Sequence, residues 1–374
     1  MPRFFFGTAR AGATHHISAL RRAGVVVAVN LLVLLLLLIP LELIFGGWLG
    51  SERDISMLNV KPNTFNIESS PLYPTDVKIL YRRDRYGLRG VFGDPRTVDV
   101  LVIGGSTTAE RFIDERDTWT AQLQTLLDGH KCRRIIANAG IDGYSTIGHI
   151  ASFDRWFSRI PGFKPRFVVV YVGVNDTAVS PGKVSDADSQ KYSSQWRSFE
   201  HYVAGNSAVR KLFVSARGWW QAKQARLPHH EIRIKPDTVW EPAVLPATFA
   251  ADALSKSAAY MDRLKQLNQH IRDFGSQPIY ITQHRVDGRL VDGQWQQVVG
   301  SNGAKDNAML DALNRTTLAF CHAMGESCID LAGQVSFELG DFYDAVHTTL
   351  AGSTRIAAYL ADALSPIICD EANW

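Results

Sequence analysis

This sequence has few cysteines, only a modest share of aromatic residues and a small net charge. Four cysteines occur in 374 residues, 10% of the residues are aromatic, and 40 Lys and Arg stand against 37 Asp and Glu. No two cysteines form a C-x-x-C pair, and no Cys/His cluster has the spacing of a zinc site. With 46% hydrophobic and 21% charged residues, the composition excludes a disordered chain, a collagen-like chain and a small disulfide scaffold.

The four cysteines fit an oxidising compartment but do not establish one. Cys321 and Cys328 are close enough in sequence for a local bridge, which leaves Cys132 and Cys369 as a second pair. The alternative is four buried thiols, and the sequence does not decide between these two states.

The net charge of +3 comes from one end of the chain. The first 24 residues carry no acidic residue and four basic ones, which are Arg3, Arg10, Arg21 and Arg22. Without these four, 36 basic and 37 acidic residues remain, for a net charge of −1. The positive charge therefore gives no reason to expect a nucleic-acid partner.

A 21-residue apolar run from Val25 to Phe45 follows the arginines, interrupted only by Asn30, Pro40 and Glu42. As a helix it is roughly 31 Å long, which matches the hydrocarbon core of a bilayer. Arginines on its N-terminal side predict a cytoplasmic N-terminus. We expect a single-pass membrane protein with a cytoplasmic leader at 1–24, an anchor at 25–46 and the remainder on the periplasmic or extracellular side.

Two other interpretations of this apolar run are open. A cleaved signal peptide is disfavoured because no clear A-x-A site follows, and the run is long for such a segment. A buried core helix is disfavoured by its nine leucines and by charged flanking residues that are all arginine.

After a proline-containing linker and lead-in segment at 47–97, short apolar runs alternate with longer helical patterns. Strands are predicted at Val98–Ile103, Arg134–Ala137, Phe167–Val172, Pro278–Thr282 and Ser327–Leu331. Helices are predicted at Thr118–Leu127, Ile147–Phe157, Ala250–Phe274, Asn307–Met324 and Leu350–Leu364. This alternation predicts one α/β domain over 98–368, a three-layer sandwich with a central parallel sheet, carrying an irregular insertion at 178–249.

Four short polar motifs lie where a parallel sheet places its active site, at or near the carboxyl ends of strands. They are Gly104-Gly105-Ser106-Thr107-Thr108, Asn138-Ala139-Gly140-Ile141-Asp142-Gly143, Gly173-Val174-Asn175-Asp176 and Asp344-Ala345-Val346-His347. Each alone is typical of a turn or a helix cap. Together, in this order, they predict one site.

The residue types suit acyl transfer through a serine. The hydroxyl of Ser106 needs an adjacent base, His347 has a suitable pKa range, and Asp344 can orient the imidazole. The N–H groups of Ser106 and Gly140 and the side-chain amide of Asn175 are the candidate donors to the oxyanion. Such chemistry requires neither a metal nor an organic cofactor.

The same motifs resemble the four blocks of the SGNH/GDSL hydrolase superfamily, which carry a Ser, a Gly, an Asn and an Asp-x-x-His in this order. Here Gly-Gly-Ser stands where the family name has Gly-Asp-Ser. The resemblance covers about 98–365, and the segment Tyr86-Gly87-Leu88-Arg89-Gly90 resembles the one that precedes the Ser block in membrane-anchored members. It implies a flavodoxin-like fold and esterase activity.

Other polar residues are assigned weaker roles. Asp142, Asp176 and Thr107 are expected to support loops, and His284 either lines the pocket or is structural. The run His229-His230-Glu231 does not predict a metal site because adjacent histidines do not share a helix face. The basic stretch 210–235, with its two tryptophans, is either a lid, a membrane-facing surface or sugar-binding edge, or a solvated insertion.

Three functions are weighed. The first is a membrane-anchored serine esterase acting on an envelope-side ester, such as an O-acetylated polysaccharide or a lipid. The second is an O-acyltransferase that passes the acyl group to a sugar hydroxyl. The third is a glycan-binding scaffold without activity, which the intact set of candidate residues disfavours.

Overall fold

Five parallel strands form the centre of the fold in the computed structural model, in the spatial order Ser327–Ile329, Gln277–Ile281, Phe167–Tyr171, Val100–Gly104 and Ile136–Asn138. The structure describes residues 11–45, 58, 60–74, 76–90, 92–129, 131–179, 237–338 and 340–370. The strands, numbered in chain order, are β1 (Phe65–Ser69), β2 (Lys78–Arg82), β3 (Val100–Gly104), β4 (Ile136–Asn138), β5 (Phe167–Tyr171), β6 (Trp240–Ala243), β7 (Gln277–Ile281), β8 (Gly288–Val291), β9 (Gln294–Val298) and β10 (Ser327–Ile329). All five strands predicted from the sequence belong to the central sheet.

The helices numbered in the same way are α1 (Ala11–Phe45), α2 (Ser106–Ala109), α3 (Trp119–Gly129), α4 (Thr146–Arg155), α5 (Phe249–Asp273), α6 (Gly303–Met324), α7 (Leu331–Gln334) and α8 (Leu350–Ile368). Each helix that the apolar periodicity predicted is present, with ends that differ by a few residues. Thr349 caps α8, because its side chain accepts the N–H of Gly352.

The central sheet is covered by helices on both faces. Along β3, Leu101 and Ile103 pack into a cluster with side chains of α4, α5 and α6. Val100 and Val102, which point to the other face, pack with side chains of α3 and α8. Burying such a side chain completely stabilises the fold by about 1.5–3 kcal/mol. The predicted central parallel sheet in an α/β fold is confirmed.

The lead-in segment is part of the packed domain where it is described. β1 and β2 form an antiparallel hairpin, with Phe65 opposite Arg82. Downstream, Arg89 exchanges two backbone hydrogen bonds with Asn138 at the end of β4. The described residues within 60–97 are therefore attached to the central sheet through their own strands and buried side chains.

A second, antiparallel sheet has the order β6-β9-β8. Its tight turn is Asp292-Gly293, with φ angles of 49° and 78°, the left-handed conformation that an Asp-Gly hairpin turn adopts. This sheet was not predicted from the sequence, although the Asp-Gly pair is a sequence signal of the hairpin turn between β8 and β9. The stretch 178–249 was predicted to be an irregular insertion, but β6 lies within it, so its last part contains regular secondary structure. Residues 180–236, with the basic stretch and His229-His230-Glu231, lie outside the described residues.

The four cysteines form two disulfide bonds, Cys132–Cys369 and Cys321–Cys328. The first joins the segment between α3 and β4 to the end of α8, across 237 residues. The second joins the end of α6 to β10. Of the two states that the sequence left open, the structure contains the bridged one.

Helix α1 is described by itself, and it has 35 residues with Pro40 inside it. Within the ranges given above, no helix combines the length and the hydropathy needed to cross a membrane. The anchor at 25–46 and the leader at 1–24 therefore stay predictions from the sequence, and residues 1–10 lie outside the described part.

Candidate active site

The four polar motifs meet at the carboxyl edge of the central sheet. Ser106 begins α2 directly after β3, and Asn175 begins a short 3-10 turn after β5. Residues 138–143 follow β4, and residues 344–347 lie just before α8. Parallel strands bring their carboxyl ends to the same edge, which explains how residues more than 200 positions apart reach one site.

Ser106, His347 and Asp344 form a continuous hydrogen-bonded chain. Ser106 Oγ lies 2.6 Å from His347 Nε2, and His347 Nδ1 lies 2.7 Å from Asp344 Oδ2. With the imidazole proton on Nδ1, His347 donates to Asp344 and accepts the hydroxyl proton of Ser106. This arrangement can deprotonate the hydroxyl as it attacks an electrophile.

Asp344 is held by its own loop as well as by His347. Its second carboxylate oxygen accepts the backbone N–H groups of Val346 at 2.9 Å and His347 at 2.8 Å. Burial acts to raise the pKa of this carboxyl, but the hydrogen bonds and the His347 interaction outweigh it and hold the pKa below its ordinary value. The Tyr343 ring stacks on the imidazole at 5.6 Å, which fixes the orientation of His347.

The side-chain amide of Asn175 lies close to Gly105, the residue before Ser106. A Cβ added to Gly105 would lie 2.4 Å from Asn175 Nδ2. One proton of that amide is donated to the Tyr144 carbonyl at 2.8 Å, so the second remains for a ligand next to Ser106. A larger residue at position 105 would require the Asn175 amide to shift.

The sequence predicts that the Gly140 N–H donates to the oxyanion, but this N–H already has a partner. It donates to Asn138 Oδ1 at 2.9 Å, and a Cβ added to Gly140 would lie 2.3 Å from the backbone nitrogen of Ala109. Gly140 is thus a packing residue beneath α2. Gly143, three residues on, lines the pocket with Ser106 and Asn175. Its φ of 77° explains why glycine is required there.

The pocket over Ser106 has a volume of about 530 Å³, within the range of small-ligand sites. Phe112 and Tyr343 provide aromatic walls, and their rings meet edge to face at 6.2 Å. The remaining lining residues are Pro71, Ser106, Arg111, Asp142, Gly143, Asn175, Asp344 and His347. The pocket therefore combines apolar surface with polar and charged groups.

Helix α2 has four residues, and side chains from other parts of the chain donate hydrogen bonds to the backbone carbonyl groups that have no partner within the helix. Arg89, which is 1% exposed, donates Nη1 to the carbonyls of Ala109 and Glu110. Asn138 Nδ2 donates to the Thr108 carbonyl at 2.6 Å, and Trp119 Nε1 donates to the Thr107 carbonyl at 3.1 Å. Four consecutive carbonyls at the end of this helix are thus paired with buried side-chain donors.

Glu110 joins α2, which begins at Ser106, to the loop that carries His347. Its carboxylate accepts the backbone N–H of Trp119 at 2.8 Å and the Thr348 hydroxyl at 2.9 Å, and Ser353 donates to it as well. Thr348 is the neighbour of His347. Burial raises the pKa of Glu110 to about 7, although these hydrogen bonds act to lower it.

Asp176 is structural, as the sequence suggested. It is buried, accepts the Thr146 hydroxyl at 2.6 Å and pairs with Arg263 at 3.1 Å. Burial raises the pKa of Asp176 to about 6, against the effect of Arg263. These contacts hold the turn that carries Asn175 against α4 and α5.

No group of three or more His, Cys, Asp or Glu side chains in the described ranges has the arrangement of a metal site. His284 does not line the pocket over Ser106; it lines a second cavity. No role at the site was predicted for Gly143, Tyr343 or Glu110. Gly143 was marked by an Asp-Gly turn signal, Tyr343 precedes Asp344, and Glu110 lies four residues after Ser106 without a motif of its own.

A family model described as GDSL-like Lipase/Acylhydrolase matches residues 102–355, which is more than half of the chain. None of the curated proteins matches the chain. Among solved structures, one named TesA shares 16% identity with a TM-score of 0.41, over 71% of this chain and 98% of that chain.

Two further solved structures are similar at the same level. A catalytic mutant of an acetylxylan esterase from Geobacillus stearothermophilus shares 14% identity with a TM-score of 0.40, over 75% of this chain and 97% of that chain. A protein of Desulfitobacterium hafniense, titled as belonging to the lipolytic G-D-S-L family, shares 12% identity with a TM-score of 0.38, over 71% and 98%.

The raised pKa of Glu110 predicts a pH-dependent stability. Because the folded state keeps this proton to higher pH than the unfolded chain, its stabilising contribution is complete below pH 4.5 and is lost as the pH rises through about 7. Relative to Glu110→Gln, the free energy of unfolding of the wild type should fall by up to about 3 kcal/mol across that range. Chemical denaturation of both proteins from pH 4.5 to 8 measures this difference.

Asp344→Asn serves as the matched comparison, because the stability contribution of Asp344 should change with pH in the direction opposite to that of Glu110. Since the folded state lowers the pKa of Asp344, the wild type should gain stability over this variant as the pH rises from the acid side. A difference between wild type and Glu110→Gln that stays constant from pH 4.5 to 8 would contradict the assignment for Glu110.

Proposed function

Because the chain belongs to the GDSL-like lipase/acylhydrolase family, we propose that Ser106, His347 and Asp344 are the catalytic triad of a serine esterase. The enzyme is a hydrolase acting on ester bonds. The observation that carries the triad is the hydrogen-bonded chain from Ser106 Oγ through the His347 ring to Asp344. A scaffold without activity would not require this series of hydrogen bonds.

The reaction then proceeds in two halves. Ser106 Oγ attacks the carbonyl carbon while His347 Nε2 takes the hydroxyl proton, and Asp344 stabilises the imidazolium. The tetrahedral intermediate collapses, the bond between the carbonyl carbon and the alkoxy oxygen breaks, and His347 returns the proton to the leaving alcohol. Water, activated in turn by His347, releases the acid from the acyl-enzyme and restores Ser106.

The oxyanion donors are the N–H groups of Ser106 and Gly143 and the free proton of Asn175 Nδ2. Gly143 replaces Gly140 in this role, since the Gly140 N–H is already bonded to Asn138. The three groups belong to the segments after β3, β4 and β5. Such donors are preorganised because their positions are fixed by the sheet before substrate arrives.

The proposed substrate class is supported by the pocket and by the predicted topology. The aromatic walls of Phe112 and Tyr343 suit the apolar face of a sugar ring, and the pocket volume accommodates one acylated sugar. Together with an envelope-side location, this supports an ester such as an O-acetylated polysaccharide.

We propose that α1 anchors the enzyme with its N-terminus in the cytoplasm and the catalytic domain on the periplasmic or extracellular side. The support is the apolar run 25–45 after four arginines. Side chains of α1 such as Val25, Leu32 and Leu36 are more than half exposed. The two disulfide bonds fit an oxidising compartment.

Hydrolysis of p-nitrophenyl acetate by the full-length chain tests the triad. Ser106→Ala and His347→Ala should each reduce kcat by at least about 10³-fold, because the attack then lacks its nucleophile or its base. Ser158→Ala, an exposed serine outside the pocket, serves as the control and should keep the wild-type rate. Wild-type rates in both active-site variants would refute the triad. Acetate release with and without a sugar acceptor separates hydrolysis from acyl transfer.

The oxyanion assignment predicts a selective effect of Asn175→Ala. Because this hydrogen bond strengthens in the transition state, kcat should fall by about 10²–10³-fold while KM changes little. The control is Thr177→Ala, which alters the same turn and leaves the amide in place. A fall in kcat of less than about tenfold would exclude Asn175 as a major donor.

The anchor is tested by carbonate extraction of membranes and by sequencing the N-terminus of the mature protein. The full chain, starting at its own N-terminus, should stay in the membrane pellet. Release into the carbonate supernatant, with a new N-terminus near residue 50, would show a cleaved signal peptide instead.

A further inference from the structure

A second cavity of about 430 Å³ lies between the antiparallel sheet and the loop of the proposed triad. Five of its lining residues carry aromatic rings, which are Trp240, His284, Trp295, Phe337 and Phe342. Its polar lining residues include Arg285, Arg289, Asn307, Asp311 and Glu338. The triad chemistry uses none of these residues.

The aromatic rings on one side of this cavity are packed together. His284 lies 4.9 Å from the Phe337 ring and 6.0 Å from the Phe342 ring, and the two phenyl rings meet edge to face at 5.0 Å. Burial lowers the pKa of His284 to about 4, so its ring is neutral at pH 7. A neutral imidazole has one donor and one acceptor, and His284 uses neither with any described residue.

The tryptophans of the cavity differ from the two in the core. Trp119 and Trp156 are fully buried, and each donates its indole N–H to a backbone carbonyl. Trp240 and Trp295 are partly exposed, and their indole N–H groups donate to no residue in the described ranges. Aromatic residues with an unused donor at a partly open surface are suited to ligands with both apolar and hydroxyl faces.

The charges around the cavity are already balanced. Arg285 pairs with Asp287 at 2.6 Å and with Asp306 at 3.2 Å. Arg289 lies 4.0 Å above the Trp240 ring and bonds to Gln296. Glu338 pairs with Arg355 at 3.0 Å. The lining has two arginines and two acidic residues, Asp311 and Glu338, so it carries no net formal charge, which favours a neutral ligand.

The cavity and the pocket over Ser106 share one loop. Phe342 lines the cavity and Tyr343, the next residue, lines the pocket. The Val286 N–H of the cavity wall donates to the Ala345 carbonyl between Asp344 and Val346. Consecutive Cα atoms are 3.8 Å apart, so the two sites lie on either side of a single stretch of backbone.

We propose that this cavity is a second glycan-binding subsite, which takes a neutral sugar residue of the chain whose ester is cleaved at Ser106. The rings of Trp240 and Trp295 provide apolar faces for the sugar, and the free nitrogens of His284 bond its hydroxyls. The proposal rests on the proposed esterase function, and it adds that the substrate is an oligomer or polymer rather than a single acylated sugar.

Kinetics on two substrates of different size test the subsite in the full-length enzyme. The substrates are p-nitrophenyl acetate and partially O-acetylated xylo-, cello- or chitohexaose. In Trp295→Ala and in His284→Phe, which keeps the aromatic packing, the ratio of kcat/KM for the best hexasaccharide to that for p-nitrophenyl acetate should fall at least about tenfold. The change should lie mainly in KM.

Leu254→Ala is the control, since Leu254 is 75% exposed on α5 and lines neither cavity. It should leave that ratio unchanged. A ratio that stays within about twofold of wild type in both Trp295→Ala and His284→Phe would overturn the subsite.

Binding separates failure of the subsite from failure of the esterase. Isothermal titration calorimetry of Ser106→Ala with unacetylated xylo-, cello- and chitohexaose, and with hexagalacturonate as the anionic probe, should show saturable binding of at least one neutral hexasaccharide. This binding should be lost in Ser106→Ala/Trp295→Ala. Saturable binding in a wild-type enzyme that is inactive on p-nitrophenyl acetate would keep the subsite and refute the esterase. Binding of none of the three, or of hexagalacturonate alone, would overturn the neutral-glycan subsite.

Discussion

The site depends on holding a four-residue helix in place. A single turn cannot stabilise itself, since helix nucleation fixes several residues for one hydrogen bond. Helix α2 carries Ser106, and its stability comes from donors elsewhere in the chain. Arg89 from the lead-in segment, Asn138 from β4 and Trp119 from α3 pair its carbonyl groups. Glu110 then ties the end of α2 to Thr348, beside His347. The lead-in segment therefore contributes to holding Ser106 in position.

Much of this architecture was accessible from the sequence. Continuous apolar runs such as Phe167–Tyr171 are typical of strands buried on both faces. All five strands of the central sheet were predicted from the sequence. Ser106, Asn175, Asp344 and His347 were also found, because the carboxyl ends of parallel strands converge. The structure places Ser106, His347 and Asp344 in hydrogen-bond contact, while their roles in catalysis stay proposals.

The remaining features depend on packing that periodicity does not encode. Gly140 and Gly143 both follow β4, and only the fold shows that the first packs beneath α2 while the second reaches the pocket. The buried position of Arg89 had no sequence signal, since arginine is rarely buried unless it is paired. The second cavity is built by Trp240, Trp295 and Phe342, which come from separate segments, so no local motif marks it.

The most direct test of the central claim is the structure of the full-length enzyme after reaction with a phosphonate ester that mimics the tetrahedral intermediate. If Ser106 is the nucleophile, phosphorus should be covalently bonded to Ser106 Oγ. One phosphoryl oxygen should also lie within about 3 Å of the Gly143 N–H and Asn175 Nδ2. An adduct on another residue, or an oxygen directed at the Gly140 N–H, would contradict the proposed mechanism.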